Sequence, residues 1–250
     1  MSDELKVAIE AAKAGAEYAL KFFGKNLDIQ KKIDKTVVTK VDREVEETIK
    51  KVILKSFPNS EFVGEETGEI VKSDTFWSID PIDGTRHYLR NTPLWAVLIS
   101  LIKGGEPVVG VSYVPGQNEF MFAEKGHGAF LNDNKIRVSN VSNIDDAILM
   151  IGSLRFFDNK TPLLRLIDST ASSRSLVSPY EFHLLASGRA EIVIDNYGKI
   201  WDIAPFKVIV EEAGGKVSNS QGEEWRISDT GCIATNGLVC DEVLRIYNEK

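Results

Sequence analysis

Residues 75–85 read Thr75-Phe76-Trp77-Ser78-Ile79-Asp80-Pro81-Ile82-Asp83-Gly84-Thr85. The apolar lead-in, 75–79, has the length and character of a buried strand. Pro81 restricts the residue before it, Asp80, to extended backbone. Gly84 permits the tight turn from which a helix starts. Two carboxylates three positions apart therefore converge at one strand end, beside the backbone N–H groups of a helix start. Hard cations take oxygen ligands of this kind, and phosphate oxygens take such N–H groups. Alone, Asp-Pro-x-Asp-Gly also describes a solvated turn.

Two further segments share this character. Phe62-Val63-Gly64-Glu65-Glu66 is a short apolar run that ends in two glutamates, the pattern of a second strand delivering carboxylates at its C-terminal end. Read alone it is also a charged loop. In Ile200-Trp201-Asp202-Ile203-Ala204-Pro205 a single Asp lies between apolar residues. Pro205 suits a first helical turn, which places Asp202 at or near the N-terminus of a helix ending at Gly214-Gly215. An N-cap is the bland account of Asp202.

Composition excludes several classes. The chain has 250 residues, 43% of them hydrophobic and 27% charged, enough apolar material for one large domain or two closely packed halves. A net charge of −7 argues against a general nucleic-acid binder. The first residues lack the apolar core of a signal peptide, and no apolar run is long enough to span a bilayer. A cytoplasmic location is the expectation. Cys232 and Cys240, the only cysteines, match neither a zinc site nor a disulfide framework.

Periodicity supplies the elements. Residues 4–23 carry a helical apolar stripe, and Val41, Val45, Ile49, Val52 and Ile53 mark a second helix. Thr39 and Asp42 fit a capping box at its start. Strands are expected over 95–102 and 107–114, joined as a hairpin through Lys103-Gly104-Gly105-Glu106, and over 118–123. Beyond residue 143 strands (147–151, 174–176, 191–194, 232–234) alternate with helices (161–168, 179–186, 203–213, 241–247). The change of pattern divides the chain into an α+β half, 1–140, and an α/β half, 141–250, with a site at their junction.

Taken together, the chain resembles the inositol monophosphatase family. The matching residues are Gly64-Glu65-Glu66, 77–85, Trp201-Asp202 and Glu212-Ala213-Gly214-Gly215, with Thr39-Lys40-Val41-Asp42 upstream and Ala234-Thr235-Asn236 near the end. The resemblance covers nearly the whole chain. It implies a layered αβαβα sandwich, a homodimer, and lithium-sensitive, Mg²⁺-dependent hydrolysis of a small phosphate ester. Two to three Mg²⁺ ions per subunit are implied. Glu65, Asp80 and the Ile82 carbonyl would hold one, and Asp80, Asp83 and Asp202 a second. A weaker third would lean on Glu65. Catalysis would fall to Glu65, Thr85 and Asp42. The Thr85 hydroxyl would orient the attacking water, and Asp42 would accept a hydrogen bond from it. Glu66 is expected to be structural.

Substrate contacts are implied for Asp83, Gly84, Thr85 and Asp195. Gly84 and Thr85 would offer backbone N–H groups to phosphate. Asp195 stands where the family has an acid that contacts hydroxyls; it binds a polyol or simply ends a strand. Lys199 and Arg174 would neutralise a second phosphate, or are solvated surface charges. Inositol monophosphate or fructose 1,6-bisphosphate is the first substrate reading. Histidinol phosphate is the second, because Arg86-His87-Tyr88 departs from the family's usual Thr-Asn-Phe, and 86–96 is similar to histidinol-phosphate phosphatases. Against that reading, the segment around Ser178 lacks the acid expected for an aminated substrate. A catalytically silent binding member is a third possibility, opposed by the intact acidic set. The apolar 94–114 hairpin belongs to the core or to an interface.

Overall fold

The first apolar stripe forms α1 (Asp3–Leu20), opened by the Ser2 hydroxyl, which accepts the Leu5 N–H at 3.1 Å. The structure is a computed structural model that describes residues 1–25, 29–31, 37–68, 71–176 and 178–249, apart from the side chains of 29–31, 37–39 and 178. A short antiparallel pair, β1 (Ile29–Lys31) and β2 (Val37–Thr39), leads into α2 (Lys40–Ser56). The cap expected from Thr39 rests on a side chain outside the described residues.

The first sheet follows: β3 (Phe62–Gly64), β4 (Thr75–Asp83), then after the single turn of α3 (Thr85–Tyr88), β5 (Ala96–Lys103), β6 (Glu106–Val114), β7 (Glu119–Glu124), β8 (Ala129–Leu131) and β9 (Asn134–Lys135). The strands lie in chain order. Only β3 and β4 run parallel. The second sheet and its helices are β10 (Ile148–Ile151), α4 (Thr161–Asp168), β11 (Ser172–Arg174), α5 (Ser178–Ala186), β12 (Ile192–Asp195), α6 (Ile200–Glu212), β13 (Lys216–Ser218), β14 (Cys232–Thr235) and α7 (Cys240–Asn248). Its order is β11-β10-β12-β14-β13, with β10 parallel to both neighbours and β14 antiparallel to both.

Strand alternation sorts the apolar residues into three cores. On β5, Val97, Ile99 and Leu101 face α1 and α2, where Ala12, Ala16, Val45 and Ile49 meet them. Ala96 and Leu98 face the other way, toward Phe182 of α5 and Phe206 and Ile209 of α6. Those middle helices also bury Met150, Val193 and Ala234 of the second sheet. The opposite face of that sheet, with Leu149, Ile192 and Ile233, packs on Leu163 of α4 and Val243 of α7. The layers therefore run α/β/α/β/α. The two sheets fall on either side of residue 140, while the middle core draws on both.

The 94–114 hairpin belongs to the core, since β5 is buried on both faces. A buried polar chain helps fix α5 to the first sheet. His183 Nε2 lies 2.8 Å from Ser112 Oγ, and His183 Nδ1 lies 3.0 Å from Glu119 Oε2. Arg189 closes the chain with a bidentate pair to Glu119 at 2.7 and 2.9 Å.

Two expected elements shift. The strand read at 174–176 occupies Ser172–Arg174, in register with β10. The helix read from 203 begins at Ile200, so Pro205 sits in its second turn and leaves the Trp201 carbonyl without the usual helical donor. Asp202 is not the N-cap; it is the third helical residue, and its carboxylate accepts the Lys199 N–H at 2.6 Å. Both cysteines are buried and unpaired. Among the described residues no helix is long and apolar enough to cross a membrane.

Candidate active site

A bulge in β4 builds the centre of the site. β4 and β5 pair regularly from Thr75↔Lys103 to Asp80↔Leu98, and the next pair is Asp83↔Ala96. Three steps on β4 match two on β5, so one residue is extra. In an unbroken strand, residues three apart point to opposite faces. The bulge at Pro81-Ile82 returns Asp83 to the side of Asp80. The Ile82 N–H donates to Asp80 Oδ1 at 3.0 Å and fixes this turn. Gly84 then takes a left-handed φ of 84° and opens α3 at Thr85.

Two other segments complete the cluster. β3 runs parallel to β4, and the Glu65 N–H donates to the Ile79 carbonyl at 3.1 Å, which carries Glu65 to the same strand end. The first turn of α6 brings Asp202. Carboxylate oxygens of Asp80, Asp83 and Asp202 lie within 4.8 Å of one another. They line one cavity of about 840 Å³ together with Glu65, Gly84, Thr85, Asp195 and Lys199.

So many carboxylates repel one another when ionised. Burial, then the charges of Glu65, Asp83 and Asp202, push the Asp80 carboxyl well above its usual range. Burial, then Asp202 and Glu65, do the same to Asp83, against the opposing pull of the Gly84 N–H. Asp202 is pushed up to about 7, chiefly by burial, although the Lys199 N–H opposes the shift. Asp83 Oδ2 is buried without a hydrogen-bond partner. An all-oxygen donor set with excess negative charge and an orphaned oxygen fits a hard divalent cation.

A group not singled out in the sequence holds the Glu65 turn in place. Glu46 of α2 is buried and pairs with buried Lys50 at 3.0 Å. Its Oε2 accepts the Glu66 N–H at 3.0 Å, and its Oε1 accepts the Thr67 hydroxyl at 2.6 Å. Lys50 Nζ also donates to Thr67 Oγ1 at 2.8 Å. Gly64 leaves room for this carboxylate: a Cβ on it would lie 2.3 Å from Glu46 Oε1 and would displace the side chain. Glu66 meets this network with its backbone N–H.

The remaining predicted residues divide. The Thr85 hydroxyl donates to the Ile82 carbonyl at 3.0 Å and lies 3.5 Å from Oδ1 of buried Asp42. The nearer acceptor is thus the bulge carbonyl, and the Asp42 contact is long for a hydroxyl. Asp195 ends β12 at the cavity, where its Oδ1 accepts the Tyr197 and Gly198 N–H groups, both at 2.8 Å. Lys199 lines the cavity with its ammonium 5.2 Å from the Tyr197 ring centroid. Arg174 is not among the described lining residues. It is exposed at the end of edge strand β11 and donates to the Ser173 carbonyl at 2.7 Å. Arg86 and His87 do line the cavity.

Residues 1–248 match the inositol monophosphatase family. The fructose-1,6-bisphosphatase/inositol-1-monophosphatase of Thermotoga maritima is 32% identical over 256 residues, covering 99% of this chain and 96% of that protein. The histidinol-phosphatase of Chlorobaculum parvum is 33% identical over 244 residues, covering 96% and 94%. A solved structure of a Thermotoga maritima IMPase superposes with a TM-score of 0.92 at 32% identity, covering 99% of this chain and 98% of that one. With its fold, its acidic cluster and its full-length match in accord, this chain belongs to the inositol monophosphatase family of phosphatases.

Proposed function

We propose that the chain is a Mg²⁺-dependent phosphomonoesterase of small polyol or sugar phosphates, with inositol monophosphate and fructose 1,6-bisphosphate as the leading substrates. One observation supports this most. Asp80 and Asp83 from the end of β4 and Asp202 from the start of α6 reach the same few ångströms, in a cavity that also holds Glu65 and a helix start at Thr85. Glu65, Asp80, Asp83, Asp202 and the Ile82 carbonyl would hold two to three ions. Their chemistry there is to neutralise the phosphate and ease the approach of water to phosphorus.

The protein's own groups do the orienting. The Thr85 oxygen accepts a hydrogen bond from the attacking water while its proton points to Ile82 or Asp42. Asp42, as acceptor, makes that oxygen more basic. Glu65 would take up that water's proton as oxygen bonds to phosphorus, and the departing alcohol oxygen gains a proton from solvent as its bond to phosphorus breaks. Backbone N–H groups at the start of α3 receive phosphate oxygens. Asp195 receives a substrate hydroxyl, and Lys199 screens a second phosphate where there is one.

Histidinol phosphate ranks second because one structural detail opposes it. Glu181, the carboxyl nearest to Ser178 in the segment around it, is buried and does not line the cavity, so it does not supply the acid the segment lacks at the site. Its Oε1 accepts the Leu176 N–H at 2.7 Å. A homodimer, and inhibition by Li⁺ in place of Mg²⁺, complete the proposal.

The test is phosphate release from inositol 1-phosphate, fructose 1,6-bisphosphate and histidinol phosphate, with chelator and then with excess Mg²⁺. Activity should vanish in chelator and return with Mg²⁺. Full turnover in chelator would refute the proposal. Sedimentation at micromolar concentration checks the dimer.

A further inference from the structure

Glu46 and Lys50 of α2 bury both members of an ion pair behind the acidic centre, with side chains 0% and 6% exposed. An apolar pair of the same size is often as stable as a buried ion pair, or more so. Stability is therefore a poor reason for these two charges, and the geometry they impose is a better one.

That geometry is centred on the turn after β3. Glu46 accepts the Glu66 N–H with one oxygen and the Thr67 hydroxyl with the other, and Lys50 donates to the same hydroxyl oxygen. The Lys50 ammonium also lies 5.5 Å from the ring centroid of Phe62, the first residue of β3. On the other side the Glu65 N–H is held by the Ile79 carbonyl, and the Gly68 N–H closes the turn on the Gly64 carbonyl at 3.0 Å. Of the four acids at the centre, Glu65 alone stands on a turn. Asp80 and Asp83 end a buried strand and Asp202 lies within a helix, where the Ile82 and Lys199 N–H groups hold the Asp80 and Asp202 carboxylates. The charge of Glu65 is among those that push all three aspartates up. The same repulsion acts back on Glu65 and drives its turn away from the site. The fastening that opposes it on the far side of the turn is the Glu46–Lys50 pair.

We infer that Glu46 and Lys50 are positioning residues for Glu65: they hold its carboxylate in the cluster, and so set the affinity of the ion that leans on Glu65 without setting that of the ion among Asp80, Asp83 and Asp202. The inference rests on the metal-dependent phosphomonoesterase reading and divides its ions into two classes. Groups that orient a metal ligand from behind weigh on affinity nearly as the ligand itself does.

The test is a Mn²⁺ titration followed by the EPR signal of the free ion, because Mn²⁺ takes the same oxygen ligands as Mg²⁺. Lys50→Met should weaken one ion by roughly tenfold to a hundredfold and leave another within about twofold of wild type. In Glu46→Gln/Lys50→Met the amide can accept the Glu66 N–H and donate to the Thr67 oxygen with no charge left unpaired. That double variant should recover the lost affinity to within roughly threefold. Thr67→Val, at an exposed position, removes the shared hydroxyl without touching the buried pair and should weaken the same ion by roughly threefold to tenfold. In steady state the Mg²⁺ concentration for half-maximal phosphate release should rise by the same factor, while KM for inositol 1-phosphate at saturating Mg²⁺ keeps its wild-type value. Circular dichroism establishes which variants are folded. Folded variants with wild-type affinity for every ion, or with all ions weakened alike, would overturn the inference and leave the phosphatase reading standing. A wild type that binds no Mn²⁺ and hydrolyses no ester would overturn both.

Discussion

Asp83 carries two separable properties, a charge that repels its neighbours and an oxygen that nothing in the protein satisfies. Asp83→Asn keeps the shape and removes the charge. In chelator the variant should be more stable than wild type by about 1 kcal/mol, or roughly 2–4 °C in Tm for a chain of this length. With Mg²⁺ the order should reverse, because the amide is a poorer ligand. Thermal melts in both buffers check this, and an unchanged response to Mg²⁺ would remove Asp83 from the ligand set. Thr85 acts on water rather than on affinity. Thr85→Ala should lower kcat by roughly tenfold to a hundredfold and leave KM nearly unchanged. Steady-state kinetics decide it, and a change confined to KM would move Thr85 from water positioning to binding.

At the scale of elements, the parallel pair β3–β4 and the start of α6 bring the acids together, and α2 holds the Glu65 turn. Glu46→Ala removes the carboxylate 3.0 Å from the buried Lys50 ammonium and the acceptor of the Thr67 hydroxyl, and should cost about 3 kcal/mol. The Glu46→Ala/Lys50→Ala double variant should cost less than the sum of the two singles, since each removes the same pair. Denaturant titration of the three proteins measures the coupling; strict additivity would mean the pair does not anchor the turn. The acids themselves were legible in the sequence because apolar runs ending in Asp or Glu have a simple local meaning. The bulge was half legible: Pro81 and Gly84 announced irregular backbone, but its register is set by β5, which is distant in sequence. Glu46 and Lys50 read as ordinary charges at helical i, i+4 spacing, and only the packing of α2 on β4 and on the turn from Gly64 to Thr67 buries them. The start of α6 was misplaced because Pro205 suits a first turn by propensity, whereas the Asp202 carboxylate on the Lys199 N–H sets the true start. Helix α4, over Thr161–Asp168, needed no tertiary information, and its expected bounds are those observed.

For the molecule as a whole, the acidic centre ties stability to pH and metal together. Asp80, Asp83, Asp202 (about 7) and Glu181 (about 8) hold protons to higher pH when folded than ordinary carboxyls do. The folded chain therefore binds more protons than the unfolded chain from the ordinary carboxylate range up to about pH 8. Their stabilising contribution is full below that window and is lost as the pH rises through it. Glu119 has the opposite sign. Burial pushes its carboxyl up, but hydrogen bonds from His183 and Arg189 outweigh this and hold it at about 2. Its contribution is present above the ordinary value of 4.5 and is lost as the pH falls toward 2. In chelator, Tm should fall between about pH 5 and pH 8, and Mg²⁺ should restore most of the loss at the upper end. A Tm in chelator that rises across this range would contradict the crowded-carboxylate account. The central claim, that these separate segments make one metal site for phosphate chemistry, is tested most directly by anomalous diffraction. Crystals would be grown with Mn²⁺, which shares Mg²⁺'s preference for oxygen ligands, and with phosphate. The account predicts anomalous peaks bounded by Glu65, Asp80, Asp83 and Asp202, with phosphate density beside Thr85. A well-ordered site with no peak there, or Mn²⁺ bound only elsewhere, would contradict it.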